Sequence, residues 1–240
     1  MRKIYKLKIL YPLLMFIAII LILTLGFYFY GNREGAQEFL YPRADALALT
    51  IEHLYMVTVS AGFSVVAGVF TGVLVTRKFW SDLLPAVNSV ASVGQTFPPV
   101  AVLALAVPVV GFGFKPTIIA LILYGFFPIV RNTIAGIESV PKEVKESAKG
   151  MGMTGIQILS KVELPLASKI ILAGVRTSVI INIGTATIGA TIGAGGLGAP
   201  IISGLINENF YYVFQGSLCV GLLAVVADKA IEDLGRLLFE

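Results

Sequence analysis

The sequence predicts an all-α integral membrane protein with about six transmembrane helices, and three observations support this fold class. Of the 240 residues, 57% are hydrophobic and only 13% are charged, with a mean hydropathy of +0.89. A soluble domain carries roughly 25% charged residues, so the apolar excess requires lipid to cover it. The apolar residues are gathered in long runs, and the lysines and arginines lie in short clusters between those runs.

The first predicted helix is an uncleaved N-terminal span, Ile9 to Tyr30. This uncharged run is longer than the apolar core of about 7 to 15 residues in a secretory signal peptide. It ends in bulky aromatic residues rather than in a small-residue cleavage site, which is typical of an aromatic belt at a membrane surface. The polar stretch Gly31 to Asp45 then forms a predicted external loop.

Further apolar tracts predict the remaining spans. Their bounds are Tyr55 to Thr76, Pro85 to Val110, Pro116 to Val130, Ile170 to Ile192 and Phe210 to Ala227. Lysine and arginine are concentrated at one set of ends, and the positive-inside rule therefore places both termini and the segment 131–169 in the cytoplasm. The sequence thus predicts a multi-pass membrane protein in contact with membrane lipid.

The middles of the predicted spans contain no Asp, Glu, His or Lys, which argues against an intramembrane enzyme or an ion-driven transporter. His53 is the only histidine, and beside Glu52 at the predicted outer edge of a span we expect it to be an interfacial anchor. No metal site is predicted, because a second histidine or a carboxylate at ligand spacing is missing. The net charge of +4 forms no basic face, so nucleic acid is not an expected partner.

Glycine and other small residues predict close packing in two places. The run Gly193 to Gly198 fits the dinucleotide pattern G-x-G-x-x-G, but a membrane helix precedes it and position 218 is not acidic. We therefore expect a helix end packed tightly against a neighbour. Small residues also recur at every fourth position of the second helix, where they predict close approach of a helix of the same chain, with a seam between two copies as the alternative. These residues are Ser60, Ser64, Gly68 and Gly72.

The cytoplasmic segment 131–169 is the longest internal polar stretch, and its pattern predicts two short helices. Pro141 begins the first helix, and two glycines end it. The second helix is expected over Thr154 to Val162 and is ended by Pro165. Its apolar residues predict a face that docks on a partner. They are Ile156, Ile158 and Leu159.

This segment resembles a known family at spaced positions. The residues are Glu146-Ser147-Ala148, Gly152 and Val162-Glu163-Leu164-Pro165. They follow the pattern E-A-A-x-x-x-G, nine residues, then I-x-L-P, with Ser147 and Val162 as conservative departures. The pattern marks the membrane subunits of binding-protein-dependent ABC importers of the type I fold. The resemblance implies a MetI-like transmembrane domain over residues 45–240, preceded by an N-terminal helix and external loop over residues 1–44.

In that family the loop forms a coupling helix, which sits in a groove of a separate ATPase subunit and conveys its closure to the membrane helices. The resemblance implies that the following residues make or shape this contact or lead the chain back into the bilayer. They are Glu146, Ser147, Ala148, Met151, Gly152, Leu164 and Pro165. The implied partners are an ABC ATPase dimer, an external solute-binding protein, and a second permease copy or a paralogue. The chain has no P-loop, so ATP-Mg is expected on the ATPase and no cofactor in this chain.

Three further motifs resemble the osmoprotectant branch of the family, which imports glycine betaine, choline, carnitine and related amines. They are Gly94 to Pro99, Pro128 to Thr133 and Gly193 to Gly198. The resemblance implies a permease subunit for such solutes rather than an enzyme. A permease for another small solute, such as an amino acid, and a self-contained channel or facilitator are the alternatives, and copurification of an ATPase would exclude the channel.

Polar residues of the third and fifth predicted helices are candidates to line a transport pathway. They are Asn88, Ser92, Gln95, Asn182, Thr185 and Thr187. Hydrogen bonding between helices is the alternative use of such residues. Arg176, inside the fifth helix, is expected to snorkel to the cytoplasmic surface rather than to take part in the pathway.

Overall fold

The computed structural model describes residues 13–22, 25, 41 and 46–239, and side chains as far as residue 237. All regular secondary structure within these residues is helical, which confirms the all-α prediction. In this part of the chain, helices long and apolar enough to cross a membrane are Ala46–Val75, Phe114–Glu138, Gly155–Ile192 and Phe210–Leu237. A broken pair, Ser81–Gly94 with Pro99–Val110, is apolar enough to form one more span.

Most of the predicted N-terminal span Ile9 to Tyr30 and nearly all of the loop Gly31 to Asp45 lie outside the described residues. Leu13–Ile22 is an apolar helix within that stretch. Its Phe16 and Ile20 side chains are buried in one cluster with Cys219. The N-terminal helix therefore contributes to the protein's own core.

The chain divides into two compact units. The first unit comprises residues 1–60, 98–121 and 179–230. Its core contains fully or nearly fully buried side chains from several helices, among them Leu49, Met56, Leu121, Ile183, Leu197 and Leu223. The second unit comprises residues 61–97, 122–178 and 231–240, and its core centres on Val75, Val130 and Ile134.

The small residues of the second predicted helix pack inside the chain, as predicted. A β-carbon at Gly68 would lie 2.7 Å from Ile129 Cγ2, and one at Gly72 would lie 2.6 Å from the β-carbon of Thr133. Both contacts are with the Phe114–Glu138 helix. The Ser64 hydroxyl donates a hydrogen bond to the Ile122 carbonyl of the same helix at 2.9 Å. These close approaches leave no room for a larger side chain at the two glycines.

The predicted continuous span Pro85 to Val110 is wrong, because the tract divides into the helices Leu84–Gly94 and Pro99–Val110. Pro98 adopts an extended backbone with ψ of 130° as the cap of the second helix, and Pro99 occupies its first turn. A proline disfavours the helical conformation of the residue before it and donates no backbone hydrogen bond. The Pro98-Pro99 pair therefore interrupts the tract although every residue around it is apolar enough for a span.

The predicted bounds of the next two spans are also wrong. The Phe114–Glu138 helix continues past Pro128 and Arg131, so it extends two turns into the segment assigned to the cytoplasmic loop. Pro165 does not end a helix either, because Gly155–Ile158, the π-helical turn Leu159–Glu163 and Leu164–Gly189 follow one another without a break. The Leu164 N–H binds the Leu159 carbonyl. The proline thus lies where the hydrogen-bond register changes, and its missing N–H is tolerated in the first α-helical turn.

The glycine cluster is a helix end packed against a neighbour, as predicted. Gly193, Gly195 and Gly196 have φ between 69° and 83°. The Gly196 N–H donates to the Glu52 carboxylate at 2.9 Å. A β-carbon at Gly198 would lie 2.3 Å from the Thr187 carbonyl oxygen. The backbone of Gly198 therefore lies against the backbone of Thr187, an approach that only a residue without a β-carbon permits.

We expect Gly198→Ala to destabilise the folded protein by about 1–3 kcal/mol, because the added methyl group overlaps a backbone atom that cannot rotate away. Gly221→Ala is the matched control, since that helical glycine has no atom within 4 Å of an added β-carbon. The melting temperature of each variant in detergent checks the prediction. Equal melting temperatures for the two variants would show that the close approach is not rigid.

His53 is not the interfacial anchor that the sequence predicts. Its side chain is 0% exposed, and its Nε2 lies 3.0 Å from the Ile183 carbonyl oxygen. Its Nδ1 lies 3.1 Å from the β-carbon that a residue other than glycine would carry at position 196. The histidine therefore joins two helices of the first unit, and the preceding residue, Glu52, accepts the hydrogen bond from the glycine cluster.

Candidate functional site

The candidate site is the segment 139–154, which connects the Phe114–Glu138 helix to the helical run that begins at Gly155. A short helix, Lys142–Gly150, lies within it and carries Glu143 in its first turn and Lys149 in its last. These charges complement the helix dipole. Pro141 caps the start with an extended backbone, as the sequence predicts.

The end of the Lys142–Gly150 helix is fixed by a left-handed glycine. Gly152 has a φ of +82°, its N–H donates to the Lys149 carbonyl at 3.0 Å, and the Met153 N–H donates to the Ala148 carbonyl at 3.2 Å. This geometry satisfies carbonyls that the helix end would leave unpaired. Apart from its two chain neighbours, none of the described residues has an atom within 4 Å of a β-carbon built at Gly152. The need for glycine at this position therefore comes from the backbone, and the space beside it is open.

The predicted contact residues separate into an exposed set and a buried one. Glu146, Ser147, Met151 and Gly152 are exposed, and the Met151 side chain is 72% accessible. Ala148 is 2% exposed, so it fixes the helix to the rest of the unit. Leu164 is half-buried and Pro165 is exposed at the start of the long helix. An exposed methionine on a polar loop is a surface that a partner can cover.

A second exposed apolar side chain follows the turn. Thr154 and Gln157 form a capping box, in which the Thr154 N–H donates to Gln157 Oε1 at 2.8 Å. Ile156, between them, is 79% exposed, whereas Ile158 and Leu159 are half-buried. Of the predicted docking face, only Ile156 is therefore exposed, and the capping box fixes the start of the helix that carries it.

Glu163 is a charged residue of this region to which the sequence pattern assigns no role. It is 5% exposed, and its Oε2 lies 2.6 Å from Arg77 Nη1. Its Oε1 lies 3.4 Å from Lys145 Nζ, and Lys145 also donates to the Ile137 carbonyl at 2.9 Å. The one signal in the sequence that could have indicated a role for Glu163 is its position between two apolar residues, Val162 and Leu164, next to a predicted span. Its partner Arg77 is too distant in the chain for any local pattern to pair them.

The candidate pathway residues have different surroundings. Asn182 is fully buried and donates to the Ser60 hydroxyl at 3.3 Å, which is the interhelical use that the sequence left open. Thr185 is buried, and the Thr187 hydroxyl donates to the Gly184 carbonyl of its own helix. On the other tract, Ser92 and Gln95 are exposed and Asn88 is half-buried.

Arg176 and its surroundings form a separate ionic cluster. Its Nη2 lies 3.3 Å from Glu232 Oε2, and Glu232 also pairs with Arg236 one turn later in the C-terminal helix. The arginine therefore has a carboxylate partner within the second unit, and its snorkelling to the cytoplasmic surface stays a prediction.

Comparison with known proteins gives concordant results. The profile of the family described as "Binding-protein-dependent transport system inner membrane component" matches residues 64–234. The osmoprotectant import permease protein OsmY of Salmonella typhimurium is 37% identical over 218 residues, covering 91% of this chain and 92% of that protein. The glycine betaine/carnitine/choline transport system permease protein OpuCB of Bacillus subtilis is 41% identical over 192 residues, covering 80% and 88%.

Solved structures give the same fold. A chain of the MetNI methionine ABC transporter, crystallised in inward-facing conformations, superposes with a TM-score of 0.72 at 25% sequence identity. The superposition covers 82% of this chain and 97% of that chain. This likeness confirms the MetI-like fold that the motif in segment 131–169 implies.

Proposed function

Because the chain belongs to the family of binding-protein-dependent transport system inner membrane components, we propose that it is the permease subunit of an importer for osmoprotectants such as glycine betaine, choline or carnitine. The observation that carries the substrate class is the identity of 37% to 41% with permeases named for osmoprotectants, glycine betaine, carnitine and choline. The chain is a translocation subunit rather than an enzyme, and a separate subunit hydrolyses ATP. It resides in the inner membrane, which it crosses several times.

The partners follow from the same assignment. A permease of this family works with an ATPase and a substrate-binding protein. We place the ATPase against the exposed residues of segment 139–154, as a dimer that holds ATP-Mg, with no cofactor in this chain. The pathway is completed by a second copy of this chain or by a paralogue. The exposed Met151 and Ile156 side chains support this placement, because a polar loop has little other reason to present them to solvent.

Exposed polar residues of the broken helix pair are the strongest candidates for the pathway. Ser92 and Gln95 are accessible within the chain, and Asn88 is half-buried. Weak, replaceable contacts suit passage of a solute, because tight binding would prevent release. Thr187 is half-buried, and the side chains of Asn182 and Thr185 are buried, so these three rank below the exposed residues as pathway candidates.

The assignment predicts that uptake requires three kinds of protein. Liposomes that contain this chain, its ATPase and ATP should accumulate radiolabelled glycine betaine only when the binding protein is present outside. The chain alone should hydrolyse no ATP. Uptake by liposomes that contain this chain alone would establish a facilitator instead, and uptake of methionine but not of glycine betaine would overturn the substrate class.

The proposed orientation places segment 139–154 in the cytoplasm. A cysteine introduced as Lys145→Cys should therefore resist an impermeant maleimide added to intact cells. Phe112→Cys should react, because Phe112 is exposed in the turn between the third and fourth predicted spans, which the positive-inside rule places outside. The natural Cys219 is the only cysteine and is buried, so its background labelling is low. Labelling of position 145 by reagent added outside would contradict the proposed orientation.

A further inference from the structure

Three segments of the second unit meet at the buried carboxylate of Glu163. Arg77 lies two residues beyond the end of the Ala46–Val75 helix, and Lys145 belongs to the Lys142–Gly150 helix. Both cations lie within ion-pair distance of Glu163, at 2.6 Å and 3.4 Å. We call Arg77, Lys145 and Glu163 the charge triad.

Each cation of the triad also donates a hydrogen bond to at least one group besides Glu163. Arg77 Nε donates to the Val73 carbonyl at 3.3 Å, and its Nη2 donates to the Thr76 hydroxyl at 3.0 Å. Lys145 Nζ donates to the Ile137 carbonyl, at the end of the Phe114–Glu138 helix. The triad therefore joins the Lys142–Gly150 helix to the ends of two long helices through directed polar contacts.

Glu163 itself lies at a distinctive backbone position. It is the last residue of the π-helical turn Leu159–Glu163, from which the long Leu164–Gly189 helix continues. A π-helical turn is rare, occurs mostly as a single turn within an α-helix, and is frequently found at functional sites. A carboxylate with 6% side-chain exposure is costly unless it is paired. Both features occur at Glu163, in the helical run that links the segment 139–154 to the long Leu164–Gly189 helix.

We propose that Glu163 is a positioning residue that transmits movement of the Lys142–Gly150 helix to the membrane-spanning helices. This inference rests on the proposed function, since it presumes an ATPase that moves that helix. When the helix shifts, Lys145 moves with it, and the shared carboxylate carries the displacement to Arg77 and to the start of the Leu164–Gly189 helix. Apolar packing alone can slide, whereas a paired buried charge must follow its partner.

The test compares variants in liposomes that contain the complete transporter and its binding protein. Glu163→Gln removes the charge without changing the side-chain volume, and Lys145→Met removes the link to the short helix while leaving the Arg77–Glu163 pair. For each variant we would measure glycine betaine uptake and ATP hydrolysis together. Both variants should assemble and hydrolyse ATP, while the solute imported per ATP falls by about 2- to 30-fold.

Lys78→Met is the matched control, because it removes an exposed lysine next to Arg77 that lies outside both the triad and the segment 139–154. It should keep the wild-type ratio of solute to ATP. A role confined to stability would lower the yield of assembled transporter without changing that ratio, and this result would overturn the inference. If Glu163→Gln does not assemble, the ratio of Lys145→Met decides by the same criterion.

The proposed function fails separately from this inference. Absence of ATP-dependent uptake by the wild-type complex would contradict the permease assignment itself. A wild-type complex that transports, with a Glu163→Gln complex that imports as much solute per ATP, would contradict only the role of the triad.

Discussion

Gly152→Asp should reduce uptake by about 100-fold or more while membrane insertion stays near normal. The position is exposed, and the chain itself leaves space for a side chain there, so the fold can accept the aspartate. Its left-handed φ of +82° costs at most about 1–2 kcal/mol for a residue other than glycine. Against an ATPase groove, however, an unpaired carboxylate is desolvated at a cost of several kcal/mol. The measurement is uptake in cells that express equal amounts of wild-type and variant protein.

Gly193→Asp is the control that separates the backbone cost from the docking cost. Gly193 is exposed and left-handed, with a φ of +83° and a ψ of 21°, and no described atom beyond its chain neighbours lies within 4 Å of an added β-carbon. The same substitution there should show the same small loss of stability and retain uptake. Wild-type uptake by Gly152→Asp, with the ATPase still bound, would refute the placement of this loop against the ATPase.

Ile156→Asp should weaken binding of the ATPase by roughly 30-fold, which corresponds to about 2 kcal/mol for an apolar anchor at the centre of an interface. The Ile156 side chain is 79% exposed in the chain, so the fold loses little when it becomes polar. Co-purification of the ATPase at increasing dilution gives the affinity.

Leu237→Asp provides the comparison for the second substitution. Leu237 is an aliphatic residue with the same exposed fraction of 79%, on the C-terminal helix rather than on the segment 139–154. The ATPase should bind this variant as it binds the wild type. Equal losses in both variants would indicate a general effect of surface charge, and no loss in Ile156→Asp would place the ATPase contact elsewhere.

Much of the fold could be predicted from the sequence because lipid imposes strong constraints. Long apolar tracts and clustered lysines define spans without any knowledge of packing. The stripe of small residues correctly predicts packing within the chain, since a β-carbon at Gly68 would overlap Ile129. The stop of the Lys142–Gly150 helix is equally local, because Gly152 alone supplies the left-handed backbone.

The errors arise where a local signal competes with tertiary structure. The apolar composition of residues 85–110 predicts one span, but the Pro98-Pro99 pair interrupts the helix there. Pro165 predicts a helix end, yet the helix continues. The π-helical turn before Pro165 changes the hydrogen-bond register there, so the proline's missing N–H breaks no helix. His53 is buried because the helix that supplies Ile183 covers it, which no pattern around residue 53 shows. Glu163 and Arg77 pair across 86 positions of the sequence and therefore escape any motif.

The most direct test of the coupling assignment is photo-crosslinking from position 151 in the assembled transporter. Benzoylphenylalanine placed at Met151, which is 72% exposed, should form a covalent adduct with the ATPase subunit. The same probe at Phe112, which is 77% exposed in the turn predicted to face outwards, should not. A transporter that imports glycine betaine but yields no ATPase adduct from position 151 would contradict the account.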